Sequence, residues 1–187
     1  MKTTALMVPG LWDSGPEHWH TLWEAENPSF ARVQQYEWDA PERREWVRQL
    51  DDAVRRAGRG VVLAAHSLGC ATVVHWGCLQ ARTVRGALLV APADVDGAGF
   101  PLEARGFANM PLKPLPFPTI LVASTDDPYL SMERAKLFAE SWGSRLVEVG
   151  PVGHLNSASG LGAWPEGRKL LDELLALPEP TDPLATR

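Results

Sequence analysis

The chain has 187 residues, 45% of them apolar and 22% charged, with a formal net charge of -5. That length fits one domain with a real core and no need of disulfide or metal staples. The acidic balance excludes a surface built to neutralise phosphates of nucleic acid or an anionic membrane, and no apolar stretch nears the ~20 residues of a membrane helix.

Thr4–Val8 reads as a first strand, ending at Pro9-Gly10. It is too short for the core of a secretion signal, so a soluble cytoplasmic protein is expected. Trp19, Leu22 and Trp23 then recur at helical spacing after Pro16. Ala31–Tyr36 reads as a second strand. The clearest helix is Pro41–Ala57: Trp46, Val47, Leu50, Ala53, Val54 and Ala57 make one face, and charged residues fill the rest. Asp39 with Glu42 suggests a capping box, with Pro41 in the first turn. A third strand, Gly60–Ala65, leads into a helix over Leu68–Arg82. Gly86–Ala91, Thr119–Ser124 and Arg145–Val149 complete six strands. Two more helices are expected, Met132–Trp142 with Ser131 as its cap, and Gly167–Leu177.

Runs such as Gly86-Ala87-Leu88-Leu89-Val90 are continuously apolar rather than alternating. Strands of that kind are covered on both faces, as in a parallel sheet. Alternation with helices gives an α/β fold with a mainly parallel sheet of about six strands. Residues 1–177 form the domain, and residues 178–187, with three prolines and no apolar period, are expected to be a mobile tail. The connection 92–118, with six prolines and three glycines, is longer than usual and reads as a binding loop or lid. Cys70 and Cys78 fall on one predicted helix, about 12 Å apart along its axis. A disulfide cannot span that, so both read as small buried hydrophobes.

The chemistry concentrates at three strand ends. The third strand runs into Ala65-His66-Ser67-Leu68-Gly69, a serine flanked by small residues at a strand-to-helix turn. Such an elbow projects the Ser67 hydroxyl above the sheet, at a helix N-terminus that favours developing negative charge. A serine nucleophile needs a base, and the base an orienting acid. After the fifth strand come Asp126 and Asp127, of which Asp127, before Pro128, is preferred as the acid, with Asp126 as the alternative. After the sixth comes His154, in a glycine-flanked loop and in the chain order such a triad requires. His66, His18, His20 and His75 fit packed or helical positions better. The oxyanion would be held by the amides of Leu68 and Leu11, with Trp12 as the alternative to Leu11. Of eight tryptophans, Trp19, Trp23, Trp46, Trp76 and Trp142 have core spacing. Trp12 and Trp164 lie in loops and read as pocket walls, with Phe100, Phe107 and Tyr129 as further candidates. No cysteine–histidine cluster has metal-ligand spacing and no phosphate-loop motif occurs, so neither metal nor cofactor is expected.

"PGLWDSGPEHW" after the first strand, "AHSLGC" at the elbow, "ASTDDPY" at the acid and "GHLNSASGLGAWPEG" at the base together resemble a known family. It is the small serine-hydrolase family of the α/β-hydrolase superfamily, similar to retinoblastoma-binding protein 9 and its short bacterial relatives. The likeness spans about residues 4–176. It implies an α/β-hydrolase fold without a large cap domain, Ser67 as nucleophile, Asp127 as acid and His154 as base. It implies a carboxylesterase on small esters; an aminopeptidase, amidase, thioesterase or acyltransferase on the same triad is the alternative, and a non-catalytic binding protein a more distant one. The L-x-C-x-E segment that retinoblastoma protein binding requires is missing. The expected partner is a small ester or amide, and the expected state a monomer or small homo-oligomer.

Overall fold

The apolar runs assemble into one parallel sheet in the computed structural model, which describes residues 2–79 and 84–180. Its strands are β1 (Ala5–Val8), β2 (Phe30–Arg32), β3 (Val62–His66), β4 (Gly86–Val90), β5 (Thr119–Ser124) and β6 (Arg145–Val149). Their order is β2-β1-β3-β4-β5-β6. The helices are α1 (Trp19–Glu26), α2 (Arg43–Ala57), α3 (Leu68–Leu79), α4 (Met132–Trp142) and α5 (Pro165–Leu175).

Alternate residues of each strand serve two cores, because successive side chains leave opposite faces of a pleated strand. Leu6, Val8, Leu63, Ala65, Leu89 and Leu121 pack against α2, α3 and α4. Ala5, Met7, Val62, Ala64, Leu88 and Val122 pack against α1 and α5. Burial on both faces explains why these strands are continuously apolar. This is the α/β-hydrolase fold that the resemblance implies, and among the described residues no large cap domain is inserted. Among the described residues, no helix is long and apolar enough to cross a membrane.

The five tryptophans with core spacing are all buried. Each indole N–H finds an acceptor, so each ring also ties its helix to another segment. Trp76 reaches the Asp51 carboxylate at 3.1 Å, Trp142 the Pro111 carbonyl at 2.8 Å, and Trp19 the Leu155 carbonyl at 2.9 Å.

Several boundaries differ from expectation. The second strand covers Phe30–Arg32 rather than Ala31–Tyr36. It is an edge strand whose partner among the described residues, β1, stops at Val8 before Pro9, and the ladder ends there. The Asp39–Glu42 capping box does not form. Glu42 is itself the cap of α2, accepting from the Glu45 amide at 3.2 Å. Residues 41–42 are kept extended by pairing with Arg105 of the long loop, through hydrogen bonds of 2.8 and 3.0 Å. Ser131 caps α4 as expected. Cys70 is buried and Cys78 partly so, and both are free thiols. The stretch 80–82 of the expected third helix and residues 181–187 of the tail lie outside the described residues. Glu179, just before them, pairs with Lys2 and Arg85.

The long loop 92–118 is pinned at several points. Phe107, Met110, Leu115 and Phe117 are buried in the core under α2 and α3. Asp96 accepts from the amides of Asn109 and Met110, at 2.6 and 3.0 Å. Arg134 of α4 grips Asp94 with two hydrogen bonds of 2.8 and 2.7 Å.

Candidate active site

The chain passes from β1 to β2 on one side and returns to β3 on the other. That reversal opens a crevice at the carboxyl ends of β1 and β3, where ligands bind in such sheets. Ser67 stands there, directly after β3, with φ of 54°. A positive φ costs a non-glycine residue energy and persists only where the surroundings enforce it. Here the Ser67 amide donates to Val90, and its carbonyl accepts from Cys70 and Ala93. Gly69 is required because a Cβ there would lie 2.1 Å from the Val8 carbonyl oxygen. Gly10 is required for a similar reason: its Cβ would stand 2.9 Å from that of Ser67. The turn after β1 is thus in direct contact with the serine.

His154 arrives from the loop after β6. Its Nε2 lies 2.9 Å from Ser67 Oγ, and its Nδ1 lies 2.9 Å from both oxygens of Asp127. The Asp127 side chain is wholly enclosed and that of His154 is 8% exposed. A buried carboxylate on Nδ1 leaves Nε2 free to take a proton from the serine. The structure therefore brings Ser67, His154 and Asp127 into one relay. Asp126 stands outside that relay. It accepts from the Gly153 amide at 2.7 Å and from the Ser124 hydroxyl at 2.8 Å. Those hydrogen bonds, the Gly153 amide first, hold its carboxyl below the usual carboxylate range.

Leu68 opens α3, so its amide is at a helix N-terminus next to Ser67. Trp12's amide is committed to the Trp38 carbonyl at 3.2 Å, which removes it as an oxyanion donor. Leu11's amide has no backbone acceptor among the described residues.

Three further histidines crowd His154. His66 donates from Nε2 to the His154 carbonyl at 2.8 Å, and the two rings are 4.9 Å apart. His20 bridges Ser14 Oγ and the Ala64 carbonyl. His18 accepts the His20 amide on Nδ1, which caps α1. Burial pushes His66 and His20 well below the usual histidine range. It lowers His18 to about 4, aided by the nearby Arg32 and His154. All three are neutral near pH 7. The sequence signalled His18 and His20 only as helix-associated residues; their packing beside His66 and His154 is a tertiary result.

The relay opens on a cavity of about 670 Å³, lined among others by Leu11, Trp12, Phe100, Pro101, Tyr129 and Leu130. Trp12 and Tyr129 stand at its rim, 68% and 58% exposed. The acids in its wall are paired, Asp13 with Arg32 and Asp94 with Arg134. Two expected pocket residues are elsewhere. Trp164 caps α5 with φ of 43° and folds its ring down against Trp19 and Trp23. Its ring sits where a Gly167 Cβ would be, at 2.1 Å. Phe107 faces away from the cavity, packed on Trp46 and His75, because it anchors the long loop to the core. Among the described residues, no group of three or more histidine, cysteine or acidic side chains is disposed to hold a metal ion.

The profile of the family described as serine hydrolase matches residues 5–173. A YdeN-like hydrolase structure from Pectobacterium atrosepticum is 34% identical, with 94% of this chain and 92% of that one covered at a TM-score of 0.83. The ydeN gene product of Bacillus subtilis is 19% identical, with 93% and 99% covered at a TM-score of 0.71, and shares the fold. So does a monoacylglycerol lipase from Paleococcus ferrophilus, 16% identical over 92% and 93% with a TM-score of 0.68. No curated protein matches the chain in sequence.

Proposed function

The chain belongs to the serine hydrolase family, and from that premise we propose that it is a carboxylesterase acting on small esters through a covalent acyl-enzyme. The observation that carries this reading is the unbroken relay from Ser67 Oγ through His154 to the enclosed Asp127, with every link at 2.9 Å. Its position at the foot of an apolar cavity with paired acids suits a neutral acyl ester.

Ser67 Oγ attacks the ester carbonyl carbon as its proton passes to His154 Nε2. The carbonyl oxygen becomes an oxyanion and takes hydrogen bonds from the amides of Leu11 and Leu68. Donors fixed in advance need no reorganisation, and losing one costs about 3 kcal/mol in such sites. The tetrahedral adduct collapses. The ester C–O bond breaks, and His154 Nε2–H gives its proton to the departing alkoxide, releasing the alcohol. Water then attacks the acyl-enzyme with His154 as base. The carboxylic acid leaves, and Ser67 recovers its proton. Asp127 keeps Nδ1 protonated throughout and stabilises the imidazolium.

The test is labelling by a fluorophosphonate probe, read beside hydrolysis of p-nitrophenyl acetate and butyrate. Wild type is expected to label and turn over, and a folded Ser67→Ala variant to do neither. A folded wild type that neither labels nor hydrolyses any ester would overturn the proposal.

A further inference from the structure

The two adjacent carboxylates after β5 differ in everything but sequence position. Asp127 is enclosed and holds the imidazole ring. Asp126 is exposed, does not line the cavity, and ends on the backbone of the loop that carries the imidazole.

That loop needs holding. Gly153 and Leu155, on either side of His154, have φ of 64° and 49°. Two left-handed residues around one histidine make a tight turn with no ladder of its own, so its shape depends on outside partners. They are supplied nearly residue by residue. Gly150 O accepts from the Thr125 amide at 3.4 Å and is 3.1 Å from Ser124 Oγ. The Val152 amide donates to Ser124 Oγ at 3.1 Å, and the Gly153 amide to Asp126 Oδ1 at 2.7 Å. His154 O accepts from His66, and Leu155 O from Trp19. Asp126 Oδ1 also receives the Ser124 hydroxyl at 2.8 Å, so this oxygen orients the other clamp as well.

We propose that Asp126 is a positioning residue for His154: through the Gly153 amide and the Ser124 hydroxyl it fixes the base loop, and so the approach of Nε2 to Ser67. The segment Ser124-Thr125-Asp126-Asp127 then does two jobs, Asp127 setting the ring and Asp126 setting the main chain that bears it. The task needs an acceptor oxygen at this place; a carboxylate makes the stronger one, and an amide oxygen can still take the Gly153 N–H. Because Asp126 touches neither the imidazole nor the cavity, its loss acts on rate rather than on substrate binding.

The inference rests on the function proposed above, so the experiment separates the two. Asp126→Ala, Asp126→Asn and Asp127→Ala are compared with wild type in fluorophosphonate labelling rate, in kcat and KM, and in amide hydrogen exchange of the 150–156 segment. Small displacements of a catalytic group cost up to ~100-fold. Asp126→Ala is expected to slow labelling and lower kcat by about 10-fold, with KM within about 2-fold. Its 150–156 segment should exchange faster. Asp126→Asn, which keeps an acceptor for Gly153, should recover most of the rate, and Asp127→Ala should be the slowest. Labelling of Asp126→Ala at the wild-type rate, or unchanged exchange in 150–156, would overturn the positioning role. So would an Asp126→Asn variant as slow as Asp126→Ala, since charge rather than the held backbone would then be the cause. An unreactive wild type with faster exchange in Asp126→Ala would instead overturn the esterase reading and leave the clamp standing.

Discussion

The elbow at Ser67 and the loop at His154 both present one side chain with sub-ångström demands, yet they are held in opposite ways. The elbow is held by its own neighbours in the fold's regular layers. β3 enters it, α3 leaves it, and β1 and β4 supply backbone on either side. Gly69 and Gly10 are there because backbone passes within van der Waals distance. The His154 loop has no such frame. β6, which leads into it, is the edge of the sheet and only partly buried. Side chains from β3, α1 and the loop after β5 hold it instead. A serine at a strand-to-helix turn can thus be positioned by backbone packing alone, whereas a histidine brought in from a sheet edge has to be clamped by distant side chains.

Each half can be broken separately. Ser67→Ala and His154→Ala are expected to lower kcat/KM by 10³-fold or more, with little change in melting temperature; ester turnover and thermal denaturation read the two together. Gly10→Ala should cost about 10- to 100-fold in kcat. Its new Cβ would meet Ser67 at 2.9 Å and push the Leu11 amide from the oxyanion, while melting changes little. Trp19→Phe keeps most of the buried area but leaves the Leu155 carbonyl without its donor. A loss of about 1–3 kcal/mol in urea unfolding is expected, with a several-fold fall in labelling rate as the base loop loosens.

The comparison sharpens with pH. His18 is held at about 4 in the folded protein against an ordinary 6.5. Below 6.5 the unfolded chain binds a proton that the folded one refuses. Stability should therefore be full above that value and fall as pH drops toward 4, by ~1.4 kcal/mol per pH unit for this group. His20 and His66, also pushed down by burial, add in the same direction. Urea midpoints measured from pH 7 to 4 should show a steeper slope in wild type than in His18→Ser, which keeps a helix cap but has nothing to titrate. The smallest effect separates two tryptophans. Trp12→Ala should raise KM a few-fold by removing a rim ring. Trp164→Phe should leave KM unchanged, and kinetics with a butyrate ester read both.

Much of this was legible before the structure. Ser67, Asp127 and His154 each follow an apolar run, and strand ends in a parallel sheet all meet at one edge. Chain order alone therefore delivered the three residues to the same place. The aromatic pocket was less legible. Trp12 and Trp164 look alike in sequence, each in a loop near a candidate residue. One stands at the cavity rim and the other lies in the core on Gly167, a difference set by where α5 docks. Phe107 reads in sequence as a pocket residue, yet it packs on Trp46 of α2 and His75 of α3 and anchors the long loop there. A long loop rich in proline suggests a lid, yet its apolar residues bury themselves under α2 and α3.

By itself the sequence determined the parallel α/β sheet, the turn at Ser67 and the placement of Asp127 and His154 after strand ends, because these follow from period, small residues and strand ends, which are local properties of a chain. Only the tertiary structure decided that Asp126 turns to the Gly153 amide, that Trp38 takes the amide of Trp12, and that distant side chains hold the His154 loop. Those depend on contacts between residues 26 to 136 positions apart. Such contacts are set by how whole elements pack, and no local pattern records them.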